Sequence, residues 1–430
     1  MTKLLDPAVA AALDAVDAGT LVALVQELVA VPSVGGTAAE SEVQHVVERR
    51  LSQGGLETDL WSIDLPALAA DPAFPGVEVE RDEAWGLVGT WGGDGAEDEP
   101  TMVLNGHVDV VPLGNPDRWG LDPWSGAVRD DRVHGRGSCD MKGGLACQII
   151  AVEALRAAGV RLRGRVQVHS VVGEEDGGLG TFATLRRGYT GDLAVLCEPT
   201  AGALVTAVAG ALTFGLTVPG RAAHASRRQD GVDAVEKYLL VHHALRRLEA
   251  ERNAVADPVM AHYELPYPLS VGTVRAGDWA SSVPDQLVAQ GRLGVALGEP
   301  VAAARAALEQ RVAEVNAADP FLRENPVHVQ WSGGQFASGS VAADAPVARL
   351  IASSHAALHG GELPVQGWSS GSDLRLLTGA GVPAVHYGPG DLALAHGSQE
   401  SVPVADLVRV TQTLVLAIAT ACGTAGQTTA

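Results

Sequence analysis

Between Thr101 and Leu155 the chain changes its hydrophobic period twice. Met102 to Leu104 reads as a buried strand ending at Asn105-Gly106, a Gly-rich turn runs from Gly135 to Gly144, and apolar positions then recur at helical spacing from Leu145 to Leu155. Buried strands alternating with helices leave few layouts open, and the general one is an α/β layer structure with a mostly parallel sheet flanked by helices. The unit repeats. Val166 to Val172 alternates into a second buried strand, and Leu193 to Leu196 makes a third.

What these strands end in is unusual for a core. The first runs into His107 and Asp109, the second into Glu174-Glu175-Asp176, the third into Glu198, while Asp140 sits in the Gly-rich turn and His396 near the C-terminus. His107 and Asp109 lie two apart and share a face of extended backbone, either as a metal ligand with its orienting partner or as a satisfied polar pair. Asp140 can cap the helix that follows it or approach a ligand across its glycines. Glu174 to Asp176 can be a solvated acidic loop. The strand ends taken together favour chemistry: an unpaired buried carboxylate costs on the order of several kcal/mol, so carboxylates stacked at neighbouring strand ends need a cation among them.

In order along the chain, the segments NGHVDVVP, GRGSCDMKGG, VGEEDGG, LCEPT, GRAAHAS, SVPD, GSDLR and AHGSQE resemble the di-zinc metallohydrolases that include acetylornithine deacetylase, succinyl-diaminopimelate desuccinylase, aminoacylase and carboxypeptidase G. The resemblance implies that His107 and Glu198 hold one zinc ion, that Glu175 and His396 hold the other, and that Asp140 bridges them. It further implies Glu174 as general base and Asp109 as the carboxylate that orients His107. Two Zn2+ per chain are expected, with Co2+ as a substitute. Imidazole and carboxylate ligands suit zinc, and a bridging Asp can hold two ions roughly 3.5–4 Å apart. A zinc role for Cys139 or Cys197, each next to a proposed ligand, is set aside, since the chain has no Cys-x-x-Cys pair.

Composition bounds the partners. The chain has 430 residues, 47% apolar content and a net charge of −21, enough for two cores and unsuited to nucleic acid or an anionic membrane. No stretch of 18 or more apolar residues is expected to span a bilayer. The N-terminal sequence lacks a signal-peptide pattern and the four cysteines are compatible with reduced thiols, so the expected location is cytoplasmic.

Periodicity predicts an opening helix within 8–32, a second over 40–52, and strands at 58–63 and 85–91 around a Pro-rich loop of unread function, expected near the cleft mouth. After Pro199 the pattern turns to α+β, with strands at 212–218 and 287–295 and helices at 232–252 and 301–317. Residues 1–206 with 336–430 are thus expected to form a discontinuous catalytic domain around an inserted lid at 207–335. The resemblance makes that lid the contact of a homodimer and gives His224 the role of polarising the scissile carbonyl, with Asp373 as support. Relatives grip a substrate carboxylate with an Asn and an Arg on a lid strand; here Ser281-Ser282-Val283-Pro284 replaces the Asn motif, leaving Arg292 and Arg375 as candidates. The expected activity is hydrolysis of the amide bond of a small N-acyl amino acid or N-acyl amine. A dipeptidase or carboxypeptidase is the second reading, and a binding protein that has lost catalysis the third.

Overall fold

The computed structural model describes residues 6–93, 99–255 and 257–424, so the first five residues of the N-terminal stretch read above lie outside it. It separates into two compact units, one of residues 1–206, 340–366 and 376–430 and the other of 207–339 and 367–375. Residues 336–339 and 367–375, read from sequence with the catalytic part, cluster with the inserted unit, so that Asp373 and Arg375 belong there.

In the first unit four parallel strands form the centre of a mixed sheet, in the order Arg165–Val171, Thr101–His107, Leu193–Leu196, Ala384–His386. Their register sets His107 opposite Val171, and Asn105 opposite Leu196, so the carboxyl ends of neighbouring strands stop at one level. Trp85–Gly92 and Glu57–Ser62 extend the sheet antiparallel beyond Arg165–Val171. Met102, Leu104, Val166, Val168 and Val195 are fully buried, each worth about 1.5–3 kcal/mol of burial.

The helix Lys142–Ala157 is buried on nearly every face and packs on the strands Thr101–His107 and Arg165–Val171 as well as on the helices Ala18–Val29 and Val404–Ala421. Its first turn needs glycine. A Cβ on Gly144 would lie 1.9 Å from the carbonyl oxygen of Cys197, so the absent side chain lets the Asp140 turn reach the Glu198 strand end. The opening segment is two helices, Pro7–Asp14 and Ala18–Val29, because Asp17 caps the second by accepting from the N–H of Thr20 at 2.7 Å. Val404–Ala421 has the length and mean hydropathy, 1.5, of a membrane span, contrary to expectation; Leu407, Val410, Leu414, Val415 and Ile418 face the core of the unit.

The second unit is a four-stranded antiparallel sheet in the order Leu269–Ala276, Gln286–Val295, Gly210–Pro219, His328–Phe336, with the helices Ala234–Arg252 and Val301–Ala318. The first and last of these strands escape sequence reading. Leu269–Ala276 is mostly exposed and lacks an apolar alternation, and a register shift between Trp331 and Gln335, over Ser332-Gly333-Gly334, breaks the pattern of the other.

Gly144→Ala is expected to lower unfolding free energy by about 1–3 kcal/mol or more through the clash with Cys197. Gly379→Ala, where a Cβ meets nothing within 4 Å, should stay within about 0.5 kcal/mol of the parent. Urea titration of both variants measures the difference.

Candidate metal centre

The carboxyl ends of the parallel strands bring His107, Glu174, Glu175 and Glu198 together, the turn before Lys142–Ala157 adds Asp140, and the loop after Leu392–Leu394 adds His396. His107 is the final residue of its strand and is buried. Its Nδ1–H donates to the backbone carbonyl of Asp109 at 2.9 Å, which fixes the neutral ring with a lone pair on Nε2. That lone pair faces Asp140 Oδ1 at 3.2 Å and Glu198 Oε1 at 3.6 Å. On the other side of Asp140, His396 Nε2 lies 3.4 Å from Oδ2 and 3.1 Å from Glu175 Oε2. The two oxygens of Asp140 therefore each face one imidazole.

Such a set is repulsive unless positive charge lies among its atoms. Burial opposes the imidazolium of His107, yet Glu198, Asp140 and Asp109 hold its pKa well above the usual histidine range. His396 is pushed up to about 10 by its hydrogen bonds to Asp140 and Glu175. Burial, with Asp140 second, raises the carboxyls of Glu175 and Glu198, whereas Asp140 is held low against burial by its bonds to the two imidazoles. Two imidazoles and four carboxylates with opposed lone pairs fit divalent cations, and among the described residues two groups have ligand atoms within 4.8 Å of one another: His107, Glu174, Glu198 and His107, Asp140, Glu175.

Asp109 does something other than the sequence suggests. Its carboxylate stands 3.7 Å from His107 Nδ1, outside hydrogen-bond reach, and instead accepts the backbone N–H groups of Glu174 at 3.2 Å and Glu175 at 3.1 Å. The orienting group for His107 is the Asp109 carbonyl, because the carboxylate is drawn to the two N–H donors at the neighbouring strand end. Gly173, at φ +67°, turns the chain there, so that adjacent glutamates are not held to opposite faces of a strand.

Several supporting residues were quoted in motifs without being given work. Arg136 and Glu400, both buried, pair at 2.5 Å; Glu400 accepts the N–H groups of Cys139 and Asp140 at 3.2 Å each, and Arg136 donates to the carbonyl of His396 at 3.1 Å. One ion pair thus ties the Asp140 turn to the His396 loop, in which His396 itself holds φ +61°. Lys142, fully buried, donates to the carbonyls of Leu28 and Val31 at 2.9 Å each, and burial pushes its pKa down to about 7.

The remaining candidates lie in the second unit. His224 is exposed; its Nδ1 accepts the N–H of Ser226 at 3.2 Å, so the neutral ring carries its proton on Nε2. Arg375 is buried, donates to the carbonyl of Ser372 at 2.9 Å, lies 3.6 Å from Asp373 and stacks on Phe336. Arg292 lies over the same ring at 5.5 Å and donates to Thr213.

The sequence profile of peptidase family M20/M25/M40 matches residues 103–420. The chain belongs to that family. It is a hydrolase of amide bonds with a mixed α/β fold, as the resemblance implied. N-formyl-4-amino-5-aminomethyl-2-methylpyrimidine deformylase of Halalkalibacterium halodurans is 28% identical over 414 residues, covering 92% of each chain. A succinyl-diaminopimelate desuccinylase of Methylobacterium nodulans is 31% identical over 272 residues, 61% of this chain and 62% of that one. Among solved structures, the di-peptidase Dug1p of Saccharomyces cerevisiae matches with a TM-score of 0.74 at 14% identity, covering 95% of this chain and 98% of that one. A dinuclear metal-binding M20 peptidase of Bacillus subtilis matches with a TM-score of 0.61 at 15% identity, covering 94% and 98%.

Chelator treatment is expected to lower the thermal midpoint, and divalent metal to restore it. At a free ion concentration about 100 times Kd the linkage amounts to about 2.7 kcal/mol per site. The restoration should be lost in His107→Ala, and a parent chain whose melting is indifferent to chelator and metal would remove the case for a metal centre.

Proposed function

We propose that this M20 hydrolase is a di-zinc deacylase that releases a small acyl group from a small amine. The observation that carries it is the pair of imidazole Nε2 atoms facing opposite oxygens of Asp140, at 3.2 and 3.4 Å, beside the Glu174-Glu175 pair. His107 and Glu198 would hold one zinc, Glu175 and His396 the other, and Asp140 both, with cobalt as a substitute. When bound, the ions supply acidification of a water and polarisation of the acyl carbonyl. Glu174 takes the proton from the attacking water as the new C–O bond forms, then hands it to the departing nitrogen as the C–N bond breaks. The carboxylic acid and the amine are released, the acid's proton passes to the amine to give carboxylate and ammonium, and Glu174 is left in its ionised state. His224, protonated on Nε2, donates to the carbonyl oxygen as negative charge builds there.

Two considerations point to an N-formyl or other short N-acyl amine over an N-acyl amino acid. The relative matched over nearly the whole chain is named for a formylated aminomethylpyrimidine, and the Arg375 guanidinium already serves Ser372, Asp373 and Phe336. A desuccinylase reading, favoured by the relative from M. nodulans, would use Arg292 and Arg375 to hold a substrate carboxylate. Zinc-loaded chain presented with N-formyl aminomethylpyrimidine, and with N-acetyl, N-formyl and N-succinyl amino acids and their amides, separates the two. The deacylase reading expects the formylated amine to lead and acids and amides to be cleaved alike; a strong preference for free carboxylates would overturn this choice of substrate. Glu174→Gln should keep both ions while kcat falls roughly 10²–10⁴-fold.

The reading includes a homodimer in the cytoplasm. Val235, Leu239 and Leu240 are exposed on the helix Ala234–Arg252, and Leu269–Ala276 is an edge strand with open backbone groups. An isologous contact through these covers both. Leu239→Glu combined with Leu240→Glu should halve the mass in sedimentation. His224→Ala is expected to lose about 10²–10³ in kcat. Mixed with Glu174→Gln under subunit exchange, it regains activity where one subunit's His224 serves its partner's site.

A further inference from the structure

The Pro-rich segment between Ser62 and Trp85 has a definite place: its end docks on the loop that carries Glu174 and Glu175. Asp176, next in sequence, is held entirely from that side. Its Oδ2 accepts the backbone N–H groups of Glu78 and Val79 at 3.1 Å each and a guanidinium N–H of Arg81 at 2.9 Å, and its Oδ1 accepts a second Arg81 N–H at 3.0 Å. The far side of the same guanidinium donates twice to Glu40, at 2.8 and 3.0 Å, and Glu40 in turn accepts the N–H of Gly36 at 2.6 Å. Arg81 and Glu40 side chains are each only 3% exposed. Next to Asp176, a Cβ on Gly177 would lie 2.1 Å from the carbonyl oxygen of Gly76, so the two backbones touch.

Asp109 accepts the N–H groups of Glu174 and Glu175. The acidic loop is therefore held by directional bonds at each of its three acidic residues. A guanidinium fork that satisfies two carboxylates at once fixes both angle and distance, which an apolar contact of equal area would not. Burying three charges for anchorage alone is a costly choice, since well-packed apolar residues do as well or better.

We propose that Arg81 is a positioning residue of the metal centre. Through Asp176 it fixes the backbone of 174–176, so that Glu175 faces His396 while Glu174 keeps its carboxylate for proton transfer. The inference rests on the reading of Glu175 as ligand and Glu174 as base. It assigns the Pro-rich segment between Ser62 and Trp85 the task of dividing labour between two adjacent glutamates.

The test is calorimetric titration of zinc into the metal-free full chain for the parent, Arg81→Lys and Asp176→Asn. Arg187→Ala serves as control, because Arg187 makes a like two-pronged pair with Asp59 at 2.8 and 3.0 Å on the surface. Affinity for one of the two ions is expected to fall about 10–100-fold in Arg81→Lys and Asp176→Asn, as for loss of groups that orient metal ligands. The other ion should bind as in the parent, kcat should fall with KM unchanged, and the metal-free melting temperature should fall as a buried ion pair is weakened. Guanidinium ion added to Arg81→Ala should restore part of the lost affinity. Unchanged affinities in both variants would overturn the proposal, as would an equal fall at both sites. A parent chain that binds no zinc would instead overturn the metal reading on which it rests.

Discussion

Mutual repulsion among carboxylates at the ends of parallel strands is the constraint to which the first unit answers. Asp140, Glu174, Glu175 and Glu198 converge where solvent is largely excluded. The surroundings offset this charge in layers. Imidazoles stand against Asp140, Arg136 neutralises the Glu400 that receives the Asp140 turn, and Lys142 brings a buried ammonium two residues further on. Removing Arg136 leaves Glu400 without its partner, the costlier half of a buried pair.

The acidic and imidazole side chains at strand ends were legible because they violate the local rule that strand interiors stay apolar. His107, Asp140, Glu175, Glu198 and His396 each follow or interrupt an apolar run or a glycine turn, and a reader of one dimension can see that. The supporting pairs were not legible for a physical reason. Arg136 finds Glu400 across 264 residues and Arg81 finds Asp176 across 95, and single Arg residues in a charged sequence carry no mark of burial. Asp109 was read as acting through its carboxylate, since sequence cannot distinguish a side-chain acceptor from the carbonyl of the same residue. In the inserted unit, strands facing solvent lacked an alternation to read, and the break at Asp17 in the opening helix was hidden within a continuous apolar period.

The inserted unit holds its own electrostatic arrangement. Arg292 and Arg375 approach one aromatic ring, that of Phe336, while Asp373 stands beside Arg375 at the start of the helix Leu374–Gly379. A guanidinium stacked on a ring and bonded to a carbonyl gains from both its face and its edge, which fixes its plane. Arg375 is thereby as much a brace of its loop as Arg136 is in the other unit.

The separation of Arg136 from Glu400 also bears on how the chain is made. The residues from His107 to Glu198 leave the ribosome well before His396 and Glu400, the acid that supports Asp140. Until they arrive, a nascent chain carries clustered acids with neither their second imidazole nor the ion pair that fixes the turn. The parallel strand Ala384–His386 must likewise be threaded beside Leu193–Leu196 after the whole insertion has been synthesised. Contacts of such sequence separation form slowly, and loop closure precedes any gain from them. Completion of this side-chain cluster therefore waits on the segment that carries His396 and Glu400.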